Sequence, residues 1–289
     1  MGPPTAACGP AGARPATPHW LGTLLYVPLL YGLGWLASRP LGLLFPGWRP
    51  DQVDLAGAGL ALLLLLLSLP WRLRRAWGCS TPWRRLGVRV KPLAGVGAFL
   101  GGVSMAALLL LLLVAVVVLS GQGRWTGVAG VPQLLNALAL VLGVGFAEEL
   151  LFRGWLWGEL ELQLGARRAD ALQAALFALV HPWYRLAGLE AIGLLVGLGL
   201  LGLVLARQRH RDGGSLWGPV GLHGALVGGW FALQSGALQV SATAPAWLVG
   251  PGGEAANPIG GAIGWLGLGL LLACRQSRSG PDPAGGPPG

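Results

Sequence analysis

From Leu93 to Leu119 the chain carries no charged side chain. At about 1.5 Å of rise per residue, a helix of that length crosses the roughly 30 Å of hydrocarbon in a bilayer. Comparable apolar stretches lie at 20–37, 55–70, 133–157, 171–187, 188–206, 214–233 and 258–274, so about eight spans are expected. Charged residues make up 11% of the chain and hydrophobic ones 54%, with 50 glycines besides. A water-soluble domain has no interior large enough for that much apolar surface, because even a large one keeps about a quarter of its unfolded area exposed. The expected fold is all-α, a polytopic transmembrane helix bundle occupying residues 18–276. Pro- and Gly-rich tails at 1–17 and 277–289 are expected to be disordered, and the first tail lacks the basic start of a cleaved signal peptide.

The formal net charge of +9 does not point to nucleic acid, because the arginines sit in short connectors between apolar runs. With eight spans, the end of the bundle that holds both termini collects Arg14, Arg72, Arg74, Arg75, Arg84, Arg85, Arg89, Lys91, Arg167, Arg168, Arg207, Arg209, Arg211, Arg275 and Arg278. The other end receives Arg39, Arg49, Arg124 and Arg185. The positive-inside rule places the richer end, and both termini, in the cytoplasm of a multi-pass cell-membrane protein. Cys8, Cys79 and Cys274 then fall on the reducing side and form no metal knuckle. Pairs such as Gly193/Gly197 and Gly224/Gly228 read as close helix-packing sites.

Charged and titratable groups inside spans are costly and usually face a bundle interior. The fourth span carries Glu148, Glu149 and Arg153. Glu149 and Arg153 are four apart, share a face and suit an ion pair, which leaves Glu148 free for other work. The fifth span brings Phe177 and His181, with Pro182 next, and the seventh brings His223. Counted from Glu159, Asp170 and Asp212, the groups Glu148, His181 and His223 each lie 11 residues into their spans. One layer, in a cavity facing the cytoplasm, would hold all three. A glutamate there takes a proton from water, one imidazole orients that water, and the other donates to the oxyanion of an attacked carbonyl. The same trio also suits zinc, since two His, one Glu and water form a catalytic set, although the helical His-Glu-x-x-His signature is absent. We favour the glutamate-activated water and leave the cofactor as none or a divalent metal such as zinc.

These motifs resemble the CPBP intramembrane proteases, the family that includes the CAAX prenyl endopeptidase Rce1 and the bacterial Abi proteins. Glu148-Glu149-x-x-x-Arg153 matches its first motif, Phe177-x-x-x-His181 its second and His223 its third, within a family-like core of about 90–235. The resemblance implies an eight-helix bundle and an intramembrane endopeptidase, glutamic or metallo in type. Glu148, His181 and His223 would be catalytic, and Glu149, Arg153 and Phe177 supporting. Its substrates would be peptides or membrane proteins, lipid-modified ones among them, met within membrane lipids and without nucleic acid. The third motif departs at Val227, where the family commonly has Asn or Asp; a valine offers no oxyanion donor, so either His223 works alone, another donor such as Trp230 or a backbone N–H substitutes, or activity is weakened. Two other classes compete: a non-catalytic membrane binder or scaffold, as in bacteriocin self-immunity, and a small-solute or proton transporter. Against the transporter, spans one to four and five to eight show no repeated polar pattern.

Overall fold

A computed structural model describes residues 18–253 and 256–276. The two expected tails, with Cys8, Arg14 and Arg278, lie outside the described residues. Eight long helices carry the fold: α1 (Trp20–Leu44), α2 (Pro50–Trp77), α3 (Pro92–Leu119), α4 (Val131–Leu164), α5 (Ala166–Val180), α6 (Gly188–Arg211), α7 (Trp217–Ala232) and α8 (Ala262–Gln276). The chain is an all-α polytopic bundle.

Among the described residues, five of these helices, α1, α2, α3, α4 and α6, are long and apolar enough to cross a membrane by themselves. Helices α5, α7 and α8, with 15, 16 and 15 residues, fall short of the roughly 20 that a span takes. The fifth is the clearest departure. It was expected over 171–187 and stops at Val180, because His181 turns extended ahead of Pro182, which has no N–H to continue the ladder. A short 3-10 turn, Trp183–Arg185, then leads to α6.

Large apolar side chains such as Leu63, Leu67, Leu108 and Leu111 stay exposed on α2 and α3, where lipid is the solvent that makes this cheap. Close contact is reserved for glycines. A Cβ on Gly34 would lie 2.6 Å from the Ala61 nitrogen, so α1 and α2 touch backbone to backbone. A Cβ on Gly202 would lie 2.8 Å from Ala174 Cα, which seats α5 on α6. Helix α7 packs against α3, α4 and α6 and is the most enclosed of the set.

The arginine-rich end is pinned by ion pairs. Glu159 of α4 is fully buried and accepts from Arg72 Nε and Nη2, Trp77 Nε1, Trp155 Nε1 and Thr23 Oγ1, all within 3.0 Å. Arg85 reaches Glu161 at 2.6 Å, and Asp170 accepts from Trp157 and pairs with His210. At the opposite end lies an element not expected from the sequence, a two-stranded antiparallel sheet of β1 (Gly123–Trp125) and β2 (Leu238–Val240), with Arg124 opposite Gln239. Their backbones are short of helical partners there, and each supplies the other's hydrogen bonds.

Candidate active site

The site begins with the crossing of α4 and α7. A Cβ on Gly145 would lie 2.8 Å from Gly224 Cα, and one on Gly224 or Gly228 would strike the carbonyl oxygen of Val141 or Ala137. Two backbones therefore meet without side chains between them. On α4 this contact is framed by two π-helical stretches, Leu140–Val144 and Leu150–Leu156, with Gly145–Glu149 between them. Such widened turns rotate the residues that follow and often accompany functional sites. One turn beyond Gly145, Glu149 arrives beside His223, the residue that precedes Gly224.

Glu149 is fully buried and its Oε1 serves two donors, Arg153 Nη1 at 2.9 Å and His223 Nδ1 at 2.8 Å. The ion pair with Arg153 forms as the spacing of four predicts. The bond to His223 was not anticipated; it makes Glu149 an orienter of the imidazole as well as a counter-ion. Gly145, four residues before Glu149, is the signal that sequence reading passed over: a small residue one turn from a buried charge marks a close approach.

His181 stands at the C-terminus of α5, where its Nδ1 lies 2.6 Å from the Phe177 carbonyl oxygen. A carbonyl only accepts, so Nδ1 carries the hydrogen and Nε2 presents its lone pair. His223 is held the same way, its Nδ1–H directed at a carboxylate. Both free Nε2 atoms face one oxygen: Glu148 Oε2 lies 3.7 Å from His181 Nε2 and 3.8 Å from His223 Nε2. These separations exceed a direct hydrogen bond. Glu148 Oε2 is buried and has no hydrogen-bond partner among the described residues. A water set off the line between carboxylate and imidazole reaches both.

Phe177 ties the group together. Its fully buried ring packs 4.5 Å from the His181 ring and 5.6 Å from that of His223, and the Arg153 guanidinium stacks 4.2 Å from its centroid. The structure thus assembles all six residues singled out from sequence, from α4, α5 and α7.

One expectation about the surroundings needs correction. The imidazoles border a cavity of about 330 Å³ whose walls include Leu113, Leu198, Leu226, Val227 and Ile263. Trp230, Gln234 and Asn257 line it too, so it runs toward the end that bears the β-sheet and not toward the arginine-rich end taken as cytoplasmic. The reason is packing: Leu86, Leu150, Trp155, Leu216 and Trp77 fill the arginine-rich half. Of the alternatives open at Val227, a donor from Trp230 is already committed, since its Nε1–H is given to the Ala256 carbonyl at 2.9 Å.

For a metal, the donor set fits in kind: two Nε2 lone pairs and a carboxylate oxygen converge, and each Nδ1–H has the carbonyl or carboxylate partner usual behind a metal-bound histidine. The 3.7 and 3.8 Å edges are wider than the roughly 3.4 Å that tetrahedral zinc with bonds of about 2.0–2.1 Å implies. No cluster of three His, Cys, Asp or Glu at metal-binding spacing occurs among the described residues.

Residues 130–228, which hold every one of these side chains, match the family model of Type II CAAX prenyl endopeptidase Rce1-like proteins. Residues 5–81 match a domain of unknown function (DUF8676). Neither a curated protein nor a solved structure matches the chain.

Proposed function

We propose, from the match of residues 130–228 to the Rce1-like family model, that the chain is an intramembrane endopeptidase in which Glu148 activates the hydrolytic water. The observation that supports this best is the unpartnered Glu148 oxygen lying 3.7 and 3.8 Å from the Nε2 atoms of His181 and His223.

A water between Glu148 and His181 gives one hydrogen to the carboxylate and the other to His181 Nε2, which aims its lone pair at a carbonyl carbon in the cavity. As the C–O bond forms, its proton passes to Glu148. His223, in the form with hydrogen on both ring nitrogens, donates from Nε2 to the oxyanion, and Glu149 keeps that ring in place at Nδ1. Glu148 then returns the proton to the leaving amine nitrogen as the C–N bond breaks. Should a divalent metal be resident, Glu148, His181 and His223 would hold it, and it would supply Lewis-acid polarisation of the same carbonyl.

The substrate is a peptide segment or membrane protein that reaches the site within the bilayer. The arginine-rich end is assigned to the cytoplasm, so that both termini are cytoplasmic in a cell-membrane protein. The alternative, a non-catalytic binder, draws support from Val227, which leaves the third motif without its second polar group.

Cells carrying the wild-type chain are compared with cells carrying Glu148→Gln by proteome-wide sequencing of protein termini. New termini that require Glu148 are the expected result. Equal terminomes at equal protein level, with the cellular phenotype retained in Glu148→Gln, would establish the binder instead.

A further inference from the structure

A peptide drawn into an apolar cavity loses water from its main-chain carbonyls, and each one left without a donor weakens binding. Besides the two imidazoles, the polar side chains lining this cavity include Trp230, Gln234 and Asn257. Trp230 Nε1 and Gln234 Nε2 both donate to the carbonyl of Ala256, at 2.9 and 3.2 Å. Those two bonds tie the segment before α8 onto the end of α7. They also fix the position of the next residue, Asn257.

Asn257 is held from two more directions. Its backbone N–H donates to the Pro251 carbonyl at 2.7 Å, and its Oδ1 accepts from Ile259 N at 3.3 Å. The acceptor half of the amide is therefore occupied by its own turn. The donor half is not: Asn257 Nδ2 makes no hydrogen bond among the described residues. The side chain is exposed and lines the cavity that the imidazoles border.

We infer that Asn257 is a substrate-binding residue, whose amide N–H donates to a main-chain carbonyl of the peptide while the scissile carbonyl lies at His223. This rests on the endopeptidase reading above. The occupant is a peptide in extended form, gripped at two points with apolar side chains lying along the leucine-rich walls between them. The role is one of binding and register, so it shows in KM.

The test uses the full chain in lipid nanodiscs and a synthetic peptide spanning the most abundant terminus that depends on Glu148 in cells. Asn257→Asp keeps an oxygen for the Ile259 N–H and removes the donor; Asn257→Ala removes both. The expected result is a rise in KM of about tenfold or more for both variants, with kcat within about twofold of wild type, as loss of uniform binding requires. If the side chain only caps its turn, Asn257→Asp has wild-type KM while Asn257→Ala alone is impaired, and the inference is overturned. An unchanged KM in both variants overturns it equally. If no terminus depends on Glu148, the endopeptidase reading itself fails, an outcome separate from these and one that removes the inference with it.

Discussion

Arg72 and Glu159 form a two-pronged ion pair, Nε to Oε1 at 3.0 Å and Nη2 to Oε2 at 2.9 Å, that joins the α1–α2 hairpin to α4. Glu159 has no solvent exposure and Arg72 little. Residues 5–81 and 130–228 match separate family models, so this contact fastens one matched segment to the other. The carboxylate is over-supplied with donors, since Thr23, Trp77 and Trp155 also point at it.

Breaking such a pair from one side leaves a buried charge unmatched, at a cost of about 3–5 kcal/mol. Arg72→Met alone is expected at the lower end, because three neutral donors remain on Glu159. Glu159→Leu alone strands the Arg72 guanidinium and is expected to cost more. The double variant is expected to be less destabilised than the sum of the two. Thermal unfolding in detergent, run as a double-mutant cycle, gives the coupling; strictly additive losses would show that the pair holds nothing.

The crossing of α4 and α7 yields a sharper separation of packing from chemistry. Gly145→Ala and Gly224→Ala each place a methyl where backbone now stands, forcing the helices apart at a cost of about 1–3 kcal/mol. The Glu149–His223 bond of 2.8 Å lies one turn away and lengthens with them. Gly199→Ala is the control, since nothing lies within 4 Å of its Cβ, and it is expected to leave stability unchanged or slightly raised. Formation of Glu148-dependent termini is expected to fall by about 10-fold or more in the first two variants and not in the third, for about 1.4 kcal/mol of transition-state stabilisation corresponds to each factor of ten.

Much of this was legible in the sequence, and what was not has identifiable physical reasons. The apolar runs gave the positions of α1, α3, α4 and α6, because lipid enforces length and composition on a span. The spacing of Glu149 and Arg153 gave their ion pair, because that is a property of one helix. The bond from His223 to Glu149 belongs to two helices, and no periodicity says which helices cross or at which glycine. The end of α5 at His181 is set by the break that Pro182 imposes, although the apolar character of the sequence continues through 187. Whether Trp230 had a donor to spare was open in the sequence, because its partner, the Ala256 carbonyl, is main chain and invisible in residue types. The direction of the cavity depends on which half of the bundle Trp77, Trp155 and Leu216 fill, which only packing decides.

Glu149 carries two duties, and they come apart in one pair of variants. Glu149→Gln keeps the shape but removes the charge beside a fully buried Arg153, so stability is expected to fall by about 3–5 kcal/mol. Glu149→Gln combined with Arg153→Met replaces the guanidinium over the Phe177 ring by an apolar chain of similar length, which removes the stranded charge. The double variant is expected to recover most of the thermal stability and none of the activity, because His223 still lacks a carboxylate at Nδ1. Recovery of both would reduce Glu149 to a counter-ion.

Val227 lies one turn after His223 and lines the cavity, in the place where an oxyanion donor is missing. Val227→Asn puts an amide on the same helical face as the imidazole, since residues four apart stack along α7. A single well-placed donor is worth about 2.7–4 kcal/mol in the transition state, so kcat is expected to rise, toward about 10²-fold, with KM little altered. Val227→Leu, which keeps the wall apolar, serves as the control and is expected to leave kcat unchanged. The comparison is made on one peptide at saturating concentration, with Glu148→Gln setting the background. A kcat in Val227→Asn no higher than in Val227→Leu would mean that the oxyanion forms out of reach of this turn of α7, and the assignment of His223 to that oxygen would fall with it.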